Sequence, residues 1–484
     1  MSTHFDTFLI GGRWTTPSSS EELVMVSPND GQRLGTVAAG VHADIDAAVA
    51  AARAAFEAPD GWPNWPADKR AAAMETLADA LDRRSEQIAR AVSSQNGMPV
   101  AIAGQLEAVF PQVLLRYYAQ LARTEPFSTE RPGLLGGQTT ITRTPVGVVG
   151  AIVPWNFPQV LSAFKYAPGL AAGCTFVIKP APETVFDAVL FAEAVAESDI
   201  PAGVINVVPG GRDTGAYLVA HPGIDKVAFT GSTQVGREIA TVCGGLLRRV
   251  TLELGGKSAA IILDDADLDL GVIGEKLFAA TLLNNGQTCF IGTRILAPQS
   301  RYAEVVDVVT ALADSLTVGN SLDPATQIGP LVSARQRDRV ESAIAAAKNS
   351  GARLTTGGGR PSGLDTGWFV APTVFADVSN DSPIAREEIF GPVLTVIGYH
   401  DDEDAVRIAN ANAYGLGGSV WTTDPQRGLA VAKGVRTGTV GINHYLPDPT
   451  APFGGVKASG LGRELGPEGL GAYLELKSIY QPAG

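Results

Sequence analysis

The amino-acid sequence predicts an α/β protein with a doubly wound parallel sheet, followed by a second α/β unit. From residue 146 onward, short apolar runs alternate with amphipathic stretches of helical length. Buried strands that alternate with helices are typical of parallel sheets covered by helices on both faces. The chain has 484 residues, which is more than one hydrophobic core usually serves, so two large domains are expected.

The strands of the first sheet are predicted from five apolar runs, and the amphipathic stretches between them are predicted to be the connecting helices. The runs span residues 146–153, 175–179, 204–208, 226–230 and 249–254, with helices near 158–172, 183–197, 214–220 and 234–242. A second series of strands and helices begins at residue 258 and continues to about residue 443. Its first strand is expected at 258–263, its helices near 268–283, 301–316 and 334–350, and its later strands at 393–399, 418–421 and 439–443.

The segment before the first sheet and the tail of the chain have patterns of their own. The pattern predicts short strands at 7–14 and 22–37, and helices at 44–58, 67–92 and about 100–123. Between 125 and 146, a turn rich in glycine and proline precedes alternating β-branched residues, which predicts a protruding β-hairpin. The tail from 472 to 480 alternates again and is predicted to be another strand.

Charge and composition exclude several classes of protein. A net charge of −13 and a pI near 5.0 argue against binding to nucleic-acid phosphates. No apolar run reaches the ~18 residues of a membrane span, and residues 1–20 lack a secretory signal pattern. The three cysteines form no CxxC pair, which favours a reducing, cytoplasmic setting. Five histidines without an HExxH motif predict no catalytic metal.

Three segments contain the residue types that covalent acyl chemistry needs. Cys289 lies on a glycine-containing turn, Glu253 ends an apolar run before two glycines, and Asn156 lies between two prolines. A thiol, a carboxylate and an amide donor can serve as nucleophile, base and partner for an oxyanion. Cys174 and Cys243 lie in no such context and are predicted to be inert, buried small residues.

With these segments, the chain resembles the aldehyde dehydrogenase superfamily over nearly its whole length. The motifs of the resemblance occur in order at 253–257, 286–289, 388–392 and 452–457. The resemblance implies oxidation of an aldehyde to a carboxylic acid with reduction of NAD(P), through a thiohemiacetal and a thioester on Cys289. It implies that Glu253 activates the hydrolytic water, and that Asn156 and the backbone amide of Cys289 stabilise the oxyanion.

The resemblance also implies the domain organisation. Residues 1–124 and 147–257 would form a discontinuous dinucleotide-binding domain, and residues 258–445 would form the catalytic domain. The hairpin at 125–146 and the tail at 471–484 would pair with a neighbouring subunit in a homodimer or homotetramer.

The cofactor site is predicted at the end of the strand 226–230. There Gly231, Ser232 and Gly236 lead directly into a helix, and backbone amides at a helix start suit a diphosphate. A tight turn between a strand and a helix would give the same pattern without a ligand. Lys179 ends its own strand, where ligands of doubly wound sheets bind.

By resemblance, Lys179 contacts the adenosine ribose and Ser232 the diphosphate. Trp155 lies in the cofactor cleft, and Glu388 and Phe390 lie at the nicotinamide end.

The preference between NAD and NADP is expected to depend on the position three residues after Lys179. NAD-dependent relatives commonly carry an acidic residue there, whereas this chain has Pro182 followed by Glu183. Glu183 is equally readable as a residue of the first turn of the next helix. No additional arginine lies nearby to bind a 2′-phosphate, so the prediction is NAD with weak discrimination against NADP.

The residues that face the substrate in the resembling family are almost all apolar in this chain. They are Phe157, Leu161, Phe164, Leu283, Thr288, Phe290 and Phe453. No arginine occurs among these positions to bind a carboxylate, so a hydrophobic aldehyde is expected rather than an anionic semialdehyde.

Three other functions remain as alternatives. A CoA-acylating aldehyde dehydrogenase would need no hydrolytic base, which Glu253 argues against. A cysteine hydrolase could pair Cys289 with His221 or His444 and would not require a nicotinamide cofactor. A non-catalytic binding protein on the same fold has no need for Asn156, Glu253 and Cys289 together.

Overall fold

The computed structural model describes residues 3–482, which form four β-sheets with α-helices packed around the two largest. The strands are β1 (Thr3–Phe5), β2 (Phe8–Ile10), β3 (Arg13–Thr15), β4 (Glu22–Val26), β5 (Arg33–Ala38), β6 (Ser128–Pro132), β7 (Gln138–Pro145), β8 (Val148–Ile152), β9 (Thr175–Lys179), β10 (Ile205–Val207), β11 (Lys226–Thr230), β12 (Arg249–Glu253), β13 (Ala259–Ile262), β14 (Arg294–Pro298), β15 (Arg353–Thr356), β16 (Thr373–Ala376), β17 (Val393–Tyr399), β18 (Gly418–Trp421), β19 (Gly441–Ile442), β20 (Gly460–Leu461) and β21 (Leu474–Gln481).

The helices are α1 (His42–Glu57), α2 (Ala67–Asp82), α3 (Ser85–Asn96), α4 (Val100–Gln105), α5 (Phe110–Thr124), α6 (Pro158–Ala172), α7 (Phe186–Glu197), α8 (Arg212–Ala220), α9 (Thr233–Gly245), α10 (Leu270–Thr281), α11 (Tyr302–Ser315), α12 (Ala334–Asn349), α13 (Pro383–Arg386), α14 (Asp402–Asn410), α15 (Pro425–Gly434) and α16 (Gly466–Gly471). Within residues 3–482, none of these helices has the length and apolar character needed to cross a membrane.

The first large sheet confirms the predicted doubly wound α/β fold. Its strands lie in the order β20-β12-β11-β8-β9-β10-β2-β3, and the five central strands from β12 to β10 are parallel. The strand order reverses between β8 and β11, and ligands of such sheets bind at the carboxyl ends near this reversal. Lys179 and Glu253 are the last residues of β9 and β12, so both lie at that edge.

The second large sheet contains the later strands in the order β15-β16-β17-β14-β13-β18-β19. All neighbours are parallel except β15, which pairs antiparallel with β16. The chain then returns to the first sheet, where β20 pairs antiparallel with β12 and Gly460 lies opposite Glu253. Residues 446–470, which the predicted domain ranges leave out, therefore lie next to a predicted catalytic residue. The domain limits themselves stay a prediction.

Helix α6 is buried along its whole length. All fifteen of its residues are buried, because the helix packs against α2, α5, β8 and β9. A helix that is apolar on every side is stable only inside a protein. Asn156 lies immediately before this helix, and Phe157 is its N-terminal cap residue.

The predicted hairpin and tail form one small sheet. Strands β6 and β7 pair antiparallel, and β21 pairs with β7 over eight residues from Leu474 opposite Pro145 to Gln481 opposite Gln138. The tail thus pairs with the hairpin of its own chain, which the sequence analysis did not predict. The contact of this sheet with a neighbouring subunit stays a prediction.

Two of the predicted helices are each divided into two shorter helices in the structure. The stretch 67–92 is divided at Arg83 and Arg84, and the guanidinium of Arg84 pairs with carboxylates of α7. The stretch 100–123 is divided before Phe110, where Pro111 begins a new helix. Proline is compatible only with the first turn of a helix, which explains the second division.

Candidate active site

Cys289 lies on a turn whose backbone requires glycine and asparagine. Asn284, Asn285 and Gly286 have φ values of 52°, 60° and 73°, in the left-handed region. A Cβ on Gly286 would lie 2.1 Å from the carbonyl oxygen of Gly391, so no other residue fits there. Cys289 follows Gly286 by three residues and is partly exposed.

Side-chain amides anchor this turn to the surrounding chain. The Nδ2 of Asn285 donates to the carbonyl oxygens of Gly97 and Pro330, at 2.9 and 3.0 Å. The Oε1 of Gln287 accepts a hydrogen bond of 3.0 Å from the backbone N–H of Val332. Because both amides are fully buried, the position of Cys289 is set by fixed hydrogen bonds.

Asn156 contacts the same turn. Its side-chain amide donates to the carbonyl oxygen of Gln287 at 2.9 Å. The main-chain carbonyl oxygen of Asn156 accepts hydrogen bonds from the side-chain amides of Asn284 at 2.9 Å and Asn96 at 3.2 Å. A carboxamide has two N–H groups, so one donor of Asn156 remains for a ligand. The structure therefore brings together the predicted nucleophile and the predicted oxyanion donor.

Glu253 is buried, with 2% of its surface exposed. Within residues 3–482, neither carboxylate oxygen accepts a hydrogen bond of normal geometry. The backbone amide of Gly455 and the cations Lys165 and Arg463 act to lower the pKa of Glu253, but they do not offset its burial. A Cβ on Gly454 would lie 2.5 Å from one of these oxygens, so glycine is needed beside it. Burial raises the pKa of Glu253 well above its ordinary value, and the neighbouring Glu464 raises it further. A carboxylate with a raised pKa is a stronger base near neutral pH.

A buried ion pair that the sequence analysis missed lies behind Glu253. The Nζ of Lys165 lies 2.8 Å from a carboxylate oxygen of Glu464 and donates to Thr230 at 2.6 Å. The side chains of Lys165 and Glu464 are 0% and 1% exposed. A lysine inside the apolar helix α6 was the available signal, because a buried charge requires a partner.

Cys289 lines an apolar cavity of about 140 Å³. Six of the predicted substrate residues line it: Phe157, Leu161, Phe164, Leu283, Phe290 and Phe453. Five lining residues were not predicted: Leu106, Phe110, Val160, Leu446 and Pro447. Thr288 does not line it, because its hydroxyl turns away to donate to the carbonyl oxygen of Leu283 at 2.9 Å.

Aromatic rings give this cavity fixed walls. Phe164 and Phe453 meet edge to face with centroids 5.9 Å apart, and Phe290 meets Phe453 at 6.1 Å. Tyr445 packs against Phe290 in the same way at 5.1 Å. Such contacts hold each ring in one orientation, so the cavity has a defined shape before a ligand enters.

The start of α9 fits the predicted diphosphate site. The Oγ of Ser232 accepts the N–H of Val235 and caps the helix. Among the described residues, the backbone N–H groups of Thr233 and Gln234 have no acceptor, which leaves them for an anion. A Cβ on Gly236 would lie 2.4 Å from Leu254, so glycine lets the helix pack closely on the end of β12. Gly231 donates its N–H to the carbonyl oxygen of Glu253 at 3.0 Å.

Lys179 lies at the same edge of the sheet. Its Nζ donates to the carbonyl oxygens of Pro180 and Gly210, at 2.8 and 2.9 Å, and an ammonium has one further N–H. Burial lowers the pKa of Lys179 to about 8, while Glu183 acts in the opposite direction. Glu183 lies in the turn before α7, which begins at Phe186, so its interpretation as a first-turn helix residue was wrong.

Glu388, Phe390 and Trp155 gather beside the Gly255–Gly256 pair. A carboxylate oxygen of Glu388 accepts the N–H of Gly256 at 2.9 Å, and burial raises the pKa of Glu388 to about 7. The rings of Trp155 and Phe390 meet edge to face at 5.3 Å. A Cβ on Gly256 would lie 2.3 Å from the carbonyl oxygen of Cys289, so Gly256 contacts both Glu388 and the backbone of Cys289.

The described part of the chain contains no group of three or more histidine, cysteine, aspartate or glutamate side chains that could hold a metal ion.

The reactivity of Cys289 should depend on pH in a defined way. Burial raises the pKa of its thiol, and the carboxylates of Glu388 and Glu253 raise it further. Since the thiolate is the reactive form, alkylation of the cofactor-free protein should accelerate about tenfold per pH unit. No plateau is expected near the ordinary thiol pKa of about 8.5. Peptide mass spectrometry after iodoacetamide treatment between about pH 6.5 and 9.5 measures this, with glutathione as the unburied control. A plateau at or below the glutathione value would contradict it.

Comparisons with known proteins match this geometry. The model of the aldehyde dehydrogenase family matches residues 14–479. The chain is 54% identical over 471 residues to a geranial dehydrogenase from Castellaniella defragrans, covering 97% of this chain and 98% of that one. It is 40% identical to the mitochondrial aldehyde dehydrogenase of Homo sapiens, covering 97% and 90% of the two chains.

Solved structures agree along the whole chain. An aldehyde dehydrogenase from Mycobacterium tuberculosis complexed with NAD⁺ superimposes with a TM-score of 0.97 at 48% identity, covering 100% of this chain and 99% of that one. Aldehyde dehydrogenase C from Pseudomonas syringae, complexed with NAD⁺ and octanal, superimposes with a TM-score of 0.94 at 38% identity, covering 99% and 98%.

A thiol in the lining of an apolar cavity, a buried carboxylate and a helix start suited to a diphosphate thus occur in a chain whose relatives share both its sequence and its fold. The resemblance inferred from the motifs is confirmed: this protein belongs to the aldehyde dehydrogenase family and is an oxidoreductase that acts on aldehydes with a nicotinamide cofactor.

Proposed function

We propose that this protein oxidises an apolar aldehyde to its carboxylic acid with NAD, through a covalent intermediate on Cys289. The observation on which this proposal depends is the cavity, whose lining is apolar and includes the Cys289 side chain. An aldehyde carbonyl that reaches the thiol would leave its hydrocarbon part among the phenylalanine rings. Burial of that part supplies binding free energy of roughly 25 cal/mol per Å² of apolar surface.

Attack by the Cys289 thiolate converts the carbonyl into a tetrahedral thiohemiacetal with negative charge on oxygen. The free N–H of Asn156 and the backbone N–H of Cys289 are proposed to donate to that oxygen. Donors held in place before the reaction stabilise the charge without reorganisation, which is the usual basis of an oxyanion site. The hydrogen bond from Asn156 to Gln287 holds this donor beside the turn of Cys289.

The residues at the edge of the first sheet fit a nicotinamide dinucleotide. Two free N–H groups at the start of α9 suit the diphosphate, and Lys179 has a donor left for the ribose. Glu388, which accepts the N–H of Gly256, and the paired rings of Trp155 and Phe390 are proposed to hold the nicotinamide end. When bound, the cofactor accepts the hydride that leaves the thiohemiacetal, so that a thioester remains on Cys289.

Glu253 is proposed to activate the water that hydrolyses this thioester. Within the described residues its buried carboxylate accepts no hydrogen bond of normal geometry, and its raised pKa suits a base. The ion pair of Lys165 and Glu464 lies on the inner side of Glu253, where Glu464 raises and Lys165 lowers the pKa of Glu253. A CoA-acylating enzyme would not need this base, so the free acid is the proposed product.

The substrate class follows from the cavity and is supported by the relatives. The apolar lining extends beyond the predicted residues to Leu106, Phe110, Leu446 and Pro447. The relative from C. defragrans is named a geranial dehydrogenase, and the P. syringae structure contains octanal. Medium-length aliphatic or terpenoid aldehydes are therefore proposed for this chain.

A panel of aldehydes tests the proposal. Formation of NADH would be measured with acetaldehyde, hexanal, octanal, geranial, benzaldehyde and succinic semialdehyde. We expect kcat/KM to rise from acetaldehyde to octanal and geranial by at least about 100-fold, since each buried CH₂ contributes about 0.8 kcal/mol. The expected product is the free acid without added CoA. A preference for succinic semialdehyde would reject the apolar substrate class.

A carboxylate at position 182 should sharpen the choice of cofactor. Pro182 lies half-buried in the turn after β9, close to Lys179. A carboxylate there would accept from the ribose 2′-hydroxyl and repel a 2′-phosphate. We expect Pro182→Glu to retain use of NAD and to lower kcat/KM for NADP by about tenfold. Pro182→Gln, which adds the same length without charge, is the control. A wild-type preference for NADP would contradict the proposed cofactor.

The structure gives no support to a cysteine hydrolase. His221 contacts Asp46 and accepts the N–H of Gly223, and His444 contacts the carbonyl oxygen of Ile442. None of these contacts involves Cys289, so they do not place a histidine base beside its thiol. Turnover of an ester or thioester without nicotinamide at the rate of aldehyde oxidation would reverse this conclusion.

Two further properties complete the proposal. We propose a homodimer or homotetramer, because Leu476, Ile479 and Tyr480 of β21 expose apolar side chains on the small sheet of β6, β7 and β21. We propose a cytoplasmic location, because all three cysteines are free and Cys289 must remain a thiol.

A further inference from the structure

The Cys289 turn and the segment before α6 are joined by a reciprocal pair of hydrogen bonds. The Nδ2 of Asn284 donates to the main-chain carbonyl of Asn156 at 2.9 Å. The Nδ2 of Asn156 donates to the main-chain carbonyl of Gln287, also at 2.9 Å. Each asparagine thus bonds the backbone of the other segment, across more than one hundred residues of sequence.

The bond from Asn284 acts on the backbone from which the Asn156 side chain extends. Rotation of the peptide after Asn156 would turn its carbonyl and alter the direction of its amide. Asn284 is fully buried and Asn156 is 4% exposed, so a hydrogen bond lost here is not replaced cheaply. Asn96 donates to the same carbonyl at the longer distance of 3.2 Å and holds it from another direction.

The backbone of the turn explains why asparagine occurs at this position. The φ of Asn284 is 52°, a conformation that asparagine adopts more readily than most residues with a side chain. Its neighbour Asn285 has a φ of 60° and is buried to the same extent, but it donates to Gly97 and Pro330 instead. The two adjacent asparagines therefore anchor the turn to different segments.

We propose that Asn284 is a positioning residue, which holds Asn156 so that its free N–H faces the oxygen of the Cys289 adduct. The proposal rests on the proposed function, in which Asn156 stabilises that oxygen. Asn284 acts through Asn156 and not on the thiol. Its loss should therefore slow formation of the adduct and release of hydride without changing the reactivity of Cys289 towards an alkylating reagent.

Two variants of the full-length enzyme remove the hydrogen bond in different ways. Asn284→Gly tolerates the left-handed backbone and deletes the side chain. Asn284→Asp keeps the shape and lacks the donor when its carboxyl is ionised, so it is measured at a pH high enough to ionise that group. The rate of the first turnover would be followed by NADH absorbance with octanal. We expect both variants to be slower by about tenfold, a factor typical of one neutral hydrogen bond, with KM for octanal changed by no more than about twofold.

Combination with Asn156→Ala distinguishes positioning from a general structural effect. If Asn284 acts through Asn156, the double variant Asn284→Gly with Asn156→Ala should be no slower than Asn156→Ala alone. The rate of Cys289 alkylation should remain that of the wild type in each variant. Should Asn284→Gly fail to fold, as judged by its thermal transition, Asn284→Asp carries the same test.

Three results would overturn the proposal: a first turnover at the wild-type rate in both Asn284 variants, additive losses in the double variant, or alkylation slowed to the same extent as turnover. Failure of the proposed function gives a different result, because Asn156→Ala would then react as fast as the wild type. That result would also overturn the positioning role, since Asn284 would have no oxyanion donor to hold.

Discussion

Replacement of Cys289 by alanine is expected to abolish aldehyde oxidation and to leave binding of NAD nearly unchanged. Cys289 is the cysteine that lines the apolar cavity, and the two free N–H groups at the start of α9 do not depend on its thiol. Loss of a covalent nucleophile removes the whole reaction path, so kcat should fall by at least about 10³-fold. Stopped-flow measurement of NADH formation and titration of NAD by calorimetry check the two parts of this prediction.

Cys174→Ala and Cys243→Ala are matched controls for this variant. Both thiols are fully buried, and the Sγ of Cys174 donates to the carbonyl oxygen of Tyr473 at 3.5 Å. Their loss removes packing and should cost about 1 kcal/mol of unfolding free energy without changing the course of the reaction. If Cys289→Ala oxidised aldehydes at the wild-type rate, the covalent mechanism would be rejected.

Replacement of Glu253 by glutamine is expected to separate hydride release from hydrolysis. Glutamine keeps the shape of the side chain beside Gly454 and removes the base. We expect a first-turnover burst of NADH, then a steady-state rate lower by about 10²- to 10⁴-fold, the range for loss of a general base. Cys289 should then carry the acyl group, which intact-protein mass spectrometry would detect. A slower burst would indicate that Glu253 also assists deprotonation of the thiol.

Glu107→Gln is the matched control for removal of a buried carboxylate. Glu107 is fully buried and burial raises its pKa well above the ordinary value, as for Glu253, but its carboxylate accepts the N–H of Gln159 at 2.7 Å. This control should accumulate no acyl-enzyme. An unchanged steady-state rate in Glu253→Gln, with no acylated Cys289, would refute the role proposed for Glu253.

Local pattern was sufficient for most of the fold. The strands Thr175–Lys179, Lys226–Thr230, Val393–Tyr399 and Gly418–Trp421 and the helix Pro158–Ala172 have the predicted bounds, because buried apolar runs are bounded by glycine, proline or polar residues. The sequence motifs likewise identified Cys289, Glu253 and Asn156, since each lies in a turn or strand end with its own composition. The roles of these residues stay proposals.

Prediction from sequence failed where a feature depends on distant partners. The helical pattern continues through 67–92, yet the chain turns at Arg84, whose guanidinium pairs with α7. The strands β14 to β16 and the helices α13 to α16 were not predicted. Strands β15 and β16 have four residues each, and helices α13 and α16 have four and six, so these elements are too short for a period to mark them.

By itself, therefore, the sequence determined the order of strands and helices, the family and the residue types of the reactive groups. Short motifs and apolar periodicity specify all three. Only the tertiary structure decided how these groups meet. Lys165 and Glu464 are 299 residues apart and pair behind Glu253, Leu446 and Phe110 complete the cavity, and Asn284 bonds the backbone of Asn156. Periodicity reports neighbours within a few residues, whereas these contacts exist because the sheets bring remote segments to one edge. Burial excludes water from that edge, which strengthens each hydrogen bond and each interaction between charges.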